Sequence, residues 1–361
     1  MRKAKQFGIL AVAVLWLILC GACWFWPRTE ISGAERRKLA QFPTTLTKRF
    51  PGDFEAASLD QFPLRDGFRT LKALTHYGLL RQSDNNGIYL AKGYAAKLEY
   101  PLDTNSVNHV SRLLEQLYEK HFAASGGRIF LSVVPDKTFF LADQTGCPAM
   151  DYEELVQKLT GALPFAEYVD ITGALDLSDY YRTDTHWKQE QLFGVAGRLC
   201  EAMGVTAPEP ELFETVQAKE DFYGVYFGQA ALPMMPDTLC TLKNPVLEGC
   251  TVFNLETGRT TGLYDWEKLD SRDPYEVYLS GAAALLTIDN PMGDPDRELV
   301  VFRDSFGSSL IPLLLRDYGK VTAVDLRYLR SQELGNYVDF HGQDVLLLYS
   351  TLVLNSSSAL K

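Results

Sequence analysis

"ELVVFRDSFGSSLIPLLLRDYGKVTAVDL", Glu298–Leu326, reads as a strand, a helix and a second strand in close succession. Leu299–Phe302 is a continuous apolar run, the pattern of a strand buried on both faces. Arg303, Asp304 and Ser305 end it, "SSLIPLLLRDYG" predicts a helix, and "KVTAVDL" predicts the next strand. "RSQELGNYVDFHG" is helical in part, and "DVLLLYS" repeats the strand pattern. Strands and helices alternating at this spacing imply βαβ units and a parallel sheet. In such sheets the ligand site lies beyond the carboxyl ends of the strands.

The pattern extends upstream. "RIFLSVVPDK" contains the apolar run Ile129–Val134 and predicts another buried strand; "EYVDI" around Val169 predicts a weaker one. "VNHVSRLLEQLYEKHFAASGG" has apolar residues at helical spacing and stops at a glycine pair. His109 and His121 lie on that helix as surface or boundary residues. "WKQEQLFGVAGRLCEAMG" predicts a helix ending at Gly204, and "FPGDFEAASLDQFPLRDGFRTLKALTHYGLL" a helix broken by Pro63. Residues 205–280 show turn signals and aromatics without a clear period and are expected as an irregular insertion. "AAALLTID" closes them as a strand.

The chain has 361 residues, 46% hydrophobic and 22% charged, which supplies ample core material. Its net charge is −11, and it has no basic cluster. That excludes nucleic-acid binding, which depends on neutralising phosphates. Arg2, Lys3 and Lys5 precede an uncharged stretch from Gln6 to Pro27. A helix needs roughly 20 apolar residues to span a bilayer, and Trp24, Phe25 and Trp26 stand where an interfacial aromatic belt belongs. No A-x-A site follows the run, and "CGA" before Cys23 lacks the leucine of a lipoprotein signal. Residues 1–27 are therefore expected as an uncleaved membrane anchor, 28–50 as a membrane-proximal stalk and 51–361 as the catalytic domain. Arg28, Arg36, Arg37 and Lys38 follow the span, so basic residues alone leave the topology open. The short basic head without an acid favours an exported domain.

Cys20 and Cys23 lie in the apolar run. Cys147, Cys200, Cys240 and Cys250 form no C-x-x-C pair, so no metal site is expected. Cys240 and Cys250 are the nearest pair for a disulfide in an exported domain, although buried free cysteine is the commoner state.

Two segments carry candidate chemistry. Leu299–Phe302 delivers Asp304 and Ser305 to the carboxyl edge of the sheet, where a helix begins. Its free N–H groups and dipole favour negative charge and would stabilise an oxyanion. Capping that helix is the alternative use of either residue. The second segment is "YYRTDTHWKQE", Tyr180–Glu190, with His186, one of five histidines. A serine is a weak nucleophile until a base takes its proton. His186 is placed to be that base, with Asp184 accepting the other ring N–H. A helix-capping Asp184 and a core histidine are the alternatives. A D-x-H metal site would need more His and Asp ligands than this chain supplies.

In the order Asp184, His186, Ser305 these blocks resemble those of the DHHW-type proteins and of the related alginate O-acetyltransferases. These are SGNH-hydrolase-like domains in which the D-x-H block precedes the serine block. "TDTHW" and "RDSF" carry the resemblance. The DHHW pattern has histidine at Thr185, whereas the alginate enzymes resemble the D-T-H-W form present here; Arg303 stands where a glycine is often found. "ERRKLAQFP", "DQFPLRD", "VVPDK", "FYGVYFG", "PDT" at Pro236–Thr238, "VDLRY" at Val324–Tyr328 and "DVLLLY" extend the likeness from Glu35 onward.

The resemblance implies a three-layer α/β/α SGNH-like fold with a mainly parallel sheet, behind an N-terminal transmembrane helix. It implies acetyl transfer to a secreted or cell-wall polysaccharide, with a membrane-bound O-acyltransferase as acetyl donor and no cofactor. Ser305 would be acetylated, His186 would act as base and Asp184 would orient it. Arg327 and Lys137 would approach the oxyanion or the sugar, and Tyr223 and Tyr226 would stack on sugar rings; a surface ion pair and core packing are their alternatives. The domain would sit outside the cytoplasm on a single-pass anchor. An esterase using the same triad, and a non-catalytic scaffold of a polysaccharide assembly complex, are the competing readings.

Overall fold

The apolar runs become strands because each is sealed on both faces. In this computed structural model, which describes residues 2–361, all six residues of Ile129–Val134 are buried. The side chains of residues 2–5 and of Trp24, which include the expected basic head and one belt aromatic, lie outside the description. Eight strands form the main sheet: β1 (Ile129–Val134), β2 (Glu167–Tyr168), β3 (Thr251–Asn254), β4 (Thr260–Thr261), β5 (Leu285–Asp289), β6 (Asp294–Arg303), β7 (Tyr318–Val324) and β8 (Asp344–Ser350). Their order is β4-β3-β5-β7-β6-β8-β1-β2. From β7 to β2 all pairings are parallel, while β5, β3 and β4 add an antiparallel flank. Val301 on β6 lies opposite Leu346 on β8 and Ala323 on β7.

Alternation along these strands divides the core into two layers. Phe130, Val134, Val301, Leu346 and Leu348 face the helix Phe193–Met203 through Val195 and Leu199, with Trp187 in the same cluster. Leu131, Val133, Val300, Phe302 and Leu347 face the helices Thr104–Leu117 and Tyr152–Ala162. The sheet is thus covered on both sides, as parallel strands require. Asp103 caps Thr104–Leu117 by accepting from the N–H groups of Asn105 and Ser106. Phe193–Met203 ends at Gly204, whose φ of +65° suits glycine.

Two segments differ from expectation. "SSLIPLLLRDYG" is a short α-helix, Phe306–Leu310, that tightens into a 3₁₀ turn over Ile311–Leu314. Pro312 supplies no N–H, and its ring crowds the preceding turn. Residues 205–280, read as irregular, contain an antiparallel hairpin of Glu214–Phe222 with Asp237–Lys243 and supply β3 and β4. Glu214–Phe222 is half exposed and mostly polar, so it lacks the apolar run by which the buried strands are recognised. Cys240 and Cys250 are free thiols rather than a disulfide, and Cys250 Sγ donates to Val246 O.

The chain divides into two compact units, Met1–Asn86 with Phe227–Pro233, and Gly87–Tyr226 with Met234–Lys361. The second holds the main sheet. The first contains the helix Arg2–Phe25, which over Gln6–Cys23 is long and apolar enough to cross a membrane. It also contains the helices Phe50–Asp60 and Arg65–Leu74, separated at Pro63 as the sequence suggests. Residues within 28–50 fold back onto these helices: Glu35 pairs with Arg65 at 2.5 Å and Arg69 at 3.2 Å, and Arg37 pairs with Asp60 at 2.5 Å.

Leu346 is fully buried at the centre of the sheet. Leu346→Ala should cost about 2–5 kcal/mol in urea unfolding, whereas exposed Leu212→Ala should stay within about 0.5 kcal/mol. Similar losses for both would place Leu346 outside the core.

Candidate active site

β6 ends at Arg303 and hands Asp304 and Ser305 to the start of the short helix Phe306–Leu310. Asp304 caps that helix: its Oδ1 accepts from the Phe306 N–H at 3.0 Å. Its Oδ2 accepts from the Ser350 N–H at 2.8 Å, joining the carboxyl ends of β6 and β8. The Ser305 hydroxyl makes no capping bond. It lies 2.7 Å from His186 Nε2 instead. The Ser305 N–H has no partner among the described residues, which leaves a backbone donor beside the hydroxyl.

His186 sits on an irregular loop, not at a helix start. Asp184 Oδ1 accepts from the His186 N–H at 3.1 Å and contacts ring Nδ1 at 2.6 Å. Asp184 Oδ2 accepts from the Val225 N–H at 2.9 Å. A proton on Nδ1 satisfies this carboxylate and leaves the Nε2 lone pair facing Ser305. Asp184 is fully buried and His186 nearly so. Tyr275 stacks flat on the imidazole, with centroids 3.8 Å apart and planes at 5°, and the Phe306 ring lies tilted 5.0 Å away.

Ser309 ties the two motif blocks together. Trp187 Nε1 donates to Phe306 O at 3.1 Å and Ser309 Oγ at 3.0 Å, and Gln189 Nε2 donates to Ser309 O at 2.9 Å. Tyr275 OH lies 2.8 Å from the same Ser309 Oγ. The tryptophan after His186 therefore works as a strut. Tyr275, Ser309 and Gln189 carried no recognisable signal in the sequence, because their roles arise from segments far apart in the chain.

The Asp184 loop is held from three further directions. Asp237, within the "PDT" motif, accepts from the N–H groups of Arg182 at 2.9 Å and Thr183 at 2.8 Å, and from Thr183 Oγ1 at 2.6 Å. Gly224, within "FYGVYFG", approaches so closely that a Cβ there would stand 2.2 Å from Asp184 Cβ. Lys137 is buried, and its Nζ donates to the carbonyl oxygens of Tyr181 at 2.9 Å and Asp184 at 2.6 Å.

The four expected substrate contacts fare differently. Lys137 is turned into the protein onto loop carbonyls, where it braces the loop. Tyr226 is also buried; its ring lies 5.0 Å from Lys137 Nζ and its hydroxyl 3.0 Å from Thr185 Oγ1. Tyr223 is exposed. Arg327 is partly exposed and grips Asp325 with two nitrogens, Nε to Oδ1 at 2.9 Å and Nη2 to Oδ2 at 2.6 Å. Arg303 is fully buried, donating to Ser308 Oγ at 2.9 Å and leaving Nε without a partner among the described residues. Burial pulls its guanidinium down, and Asp325 opposes that shift. A glycine at this position would have no side chain to brace against Ser308.

Burial also pulls the Lys137 ammonium down to about 7, against the attraction of Asp184, Asp237 and Asp136. Below about 7 this lysine is charged in both folded and unfolded chains, and its desolvation cost counts in full. Between there and its ordinary value of 10.5, the unfolded chain holds the proton and the folded one does not, so stability rises with pH. The melting temperature of the wild type minus that of Lys137→Met should grow across this window. A constant difference would show that Lys137 does not titrate on unfolding.

A DHHW family protein from Eubacterium siraeum has the same architecture, with a TM-score of 0.62 at 19% identity over 76% of this chain and 94% of its own. Bacillus cereus PatB1, solved with a sulfonyl adduct, gives 0.59 at 15% identity over 74% and 94%. The O-acetyltransferase domain of Pseudomonas putida AlgJ gives 0.45 at 14% identity over 74% and 92%. No protein-family model matches the chain, and no curated protein does. At these identities the likeness is one of fold, and by fold this chain stands with the DHHW family protein its motif blocks resemble.

Proposed function

We propose that this protein is an O-acetyltransferase that acts on a secreted or cell-wall polysaccharide through an acetyl-Ser305 intermediate. The observation that carries the reading is the continuous line Asp184 Oδ1–His186 Nδ1 (2.6 Å) and His186 Nε2–Ser305 Oγ (2.7 Å). Neither a helix cap nor a core histidine requires it. The acetyl group and the polysaccharide come from the resemblance of the "TDTHW" and "RDSF" blocks to the alginate enzymes. PatB1, which shares the fold, has been solved with a sulfonyl adduct, in keeping with a nucleophile that reacts with electrophiles.

In the first half-reaction Ser305 Oγ attacks the acetyl carbonyl while His186 Nε2 takes its proton. The carbonyl oxygen becomes an oxyanion facing the free Ser305 N–H. The tetrahedral adduct collapses, the bond to the donor's leaving atom breaks, and His186 returns the proton to that atom. In the second half a sugar hydroxyl gives its proton to His186 and attacks the acetyl-serine. Ser305 Oγ leaves and recovers the proton. Asp184 stabilises the imidazolium throughout without taking its proton. The acetyl donor in this reading is a membrane-bound O-acyltransferase. Gln6–Cys23 anchors the chain, with the catalytic unit outside the cytoplasm.

Intact-mass analysis after incubation with an activated acetyl ester should show one acetyl group added, on Ser305. Ser305→Ala and His186→Ala should each lower transfer by roughly 10⁴-fold, and the double variant should be little worse. Asp184→Ala should be severe but milder. Gly224→Ala, which pushes on Asp184, should lower kcat with KM little changed. Wild-type turnover in the Ser305 and His186 variants would remove the triad. Acetyl release to water that added oligosaccharide never diverts would make the protein an esterase.

Protease added to intact cells should trim the catalytic unit and leave a membrane-embedded stub. Protection of the unit until lysis would reverse the topology.

A further inference from the structure

The first unit turns apolar side chains outward beside the apolar N-terminal helix. In the helix Arg65–Leu74 and its flanks, Leu64, Phe68 and Leu71 recur at i, i+4 and i+7, one helical face. Their exposures are 66%, 44% and 57%, and Leu79 and Leu80, at the end of the turn that follows the helix, are exposed at 77% and 56%. The opposite face packs inward, with Ala73 fully buried and Arg69 Nη2 donating to Gly228 O. Leu64 holds a left-handed backbone, φ +56°. That conformation costs a leucine more than a glycine, and here it sets a large apolar side chain in the open. Single exposed leucines need no explanation, but a contiguous run does.

The position of this face follows from a short connection. The apolar helix ends at Phe25, and Thr29 is clamped to Gln61: its N–H donates to Gln61 Oε1 at 3.0 Å, and Gln61 Nε2 donates to Thr29 O at 2.9 Å. Trp26, Pro27, Gln61, Leu64 and Arg65 line one cleft. The exposed face therefore begins where the chain would leave the bilayer. Charge fits the same location. Residues 28–86 hold ten lysines and arginines against seven acids, a net of +3, whereas residues 87–361 hold 22 against 39, a net of −17. Basic residues beside a span favour an anionic leaflet.

We propose that this face rests on the membrane itself, with Leu64, Phe68, Leu71, Leu79 and Leu80 inserted at the headgroup–acyl boundary of an anionic leaflet. The inference rests on the anchoring of Gln6–Cys23 in the proposed function. It adds a second membrane contact that holds the first unit against the surface, so that the unit does not swing from the span.

The test uses full-length protein in vesicles of phosphatidylethanolamine and phosphatidylglycerol. An environment-sensitive fluorescent amino acid replaces Leu71 in one variant and Leu15, within the span, in another. Lipids brominated near the headgroup or near the chain end serve as quenchers. The expected result is deep quenching at 15 and shallow quenching at 71, at a depth of roughly 5–10 Å below the headgroup boundary. Quenching at 15 with none at 71 overturns the surface contact and leaves the anchor intact. Blue-shifted but unquenched emission at 71 overturns it too, because a second copy of the chain then covers the face. Shallow quenching at 71 without quenching at 15 sustains the surface contact and removes the anchor. No quenching at either position removes both.

Discussion

A carboxylate removed completely from water must find a donor for each oxygen or lose its charge. Asp184 is in that position, and its partners organise the site. One oxygen takes the His186 backbone N–H and faces the imidazole; the other takes the Val225 N–H. Meeting those demands draws the 180s loop and the segment around Gly224 together. It also determines which imidazole nitrogen is left for Ser305. Gly224 belongs here for steric reasons, since any Cβ would overlap Asp184.

The rest of the site is preorganisation. Asp237 accepts from the N–H groups of Arg182 and Thr183, and Lys137 donates to the carbonyls of Tyr181 and Asp184, so both hold the same stretch of loop. Tyr275 stacks flat on the imidazole ring, which fixes its orientation. Lys137 is a further demanding group. Its buried amine needs carbonyl oxygens around its N–H groups, and the loop supplies them. Asp184 takes its donors from His186 and Val225, and Lys137 takes its acceptors from Tyr181 and Asp184, so Asp184 serves both: its carboxylate accepts and its carbonyl accepts.

The two units divide the physical work. The sheet unit carries the acid excess and the Asp184–His186–Ser305 line, whereas the first unit carries the apolar helix, the outward leucines and a small basic excess. The first unit has its own ion-pair network around Glu35 and Asp60. Within the segment expected as a stalk, Glu35 and Arg37 pair with charges on the helices Phe50–Asp60 and Arg65–Leu74. Charged stretches read as solvated linkers in sequence because the partners of each charge are not adjacent in the chain.

The sequence by itself determined the parallel strands and singled out the two motif blocks. Apolar runs such as Ile129–Val134 and Leu299–Phe302 have no other stable place than a doubly covered sheet. "TDTHW" and "RDSF" hold their residues at fixed local spacing. It also marked the break at Pro63 and the stop at Gly204, because proline and glycine act through their own backbone. Only the tertiary structure decided that Ser305 bonds to His186 while Asp304 caps the helix, since both residues are competent caps in isolation. Only it turned Lys137 and Tyr226 inward, placed Tyr275 on the imidazole and made Ser309 the junction of both blocks. Those roles depend on distances between segments separated by tens of residues or more, and no local pattern encodes such distances.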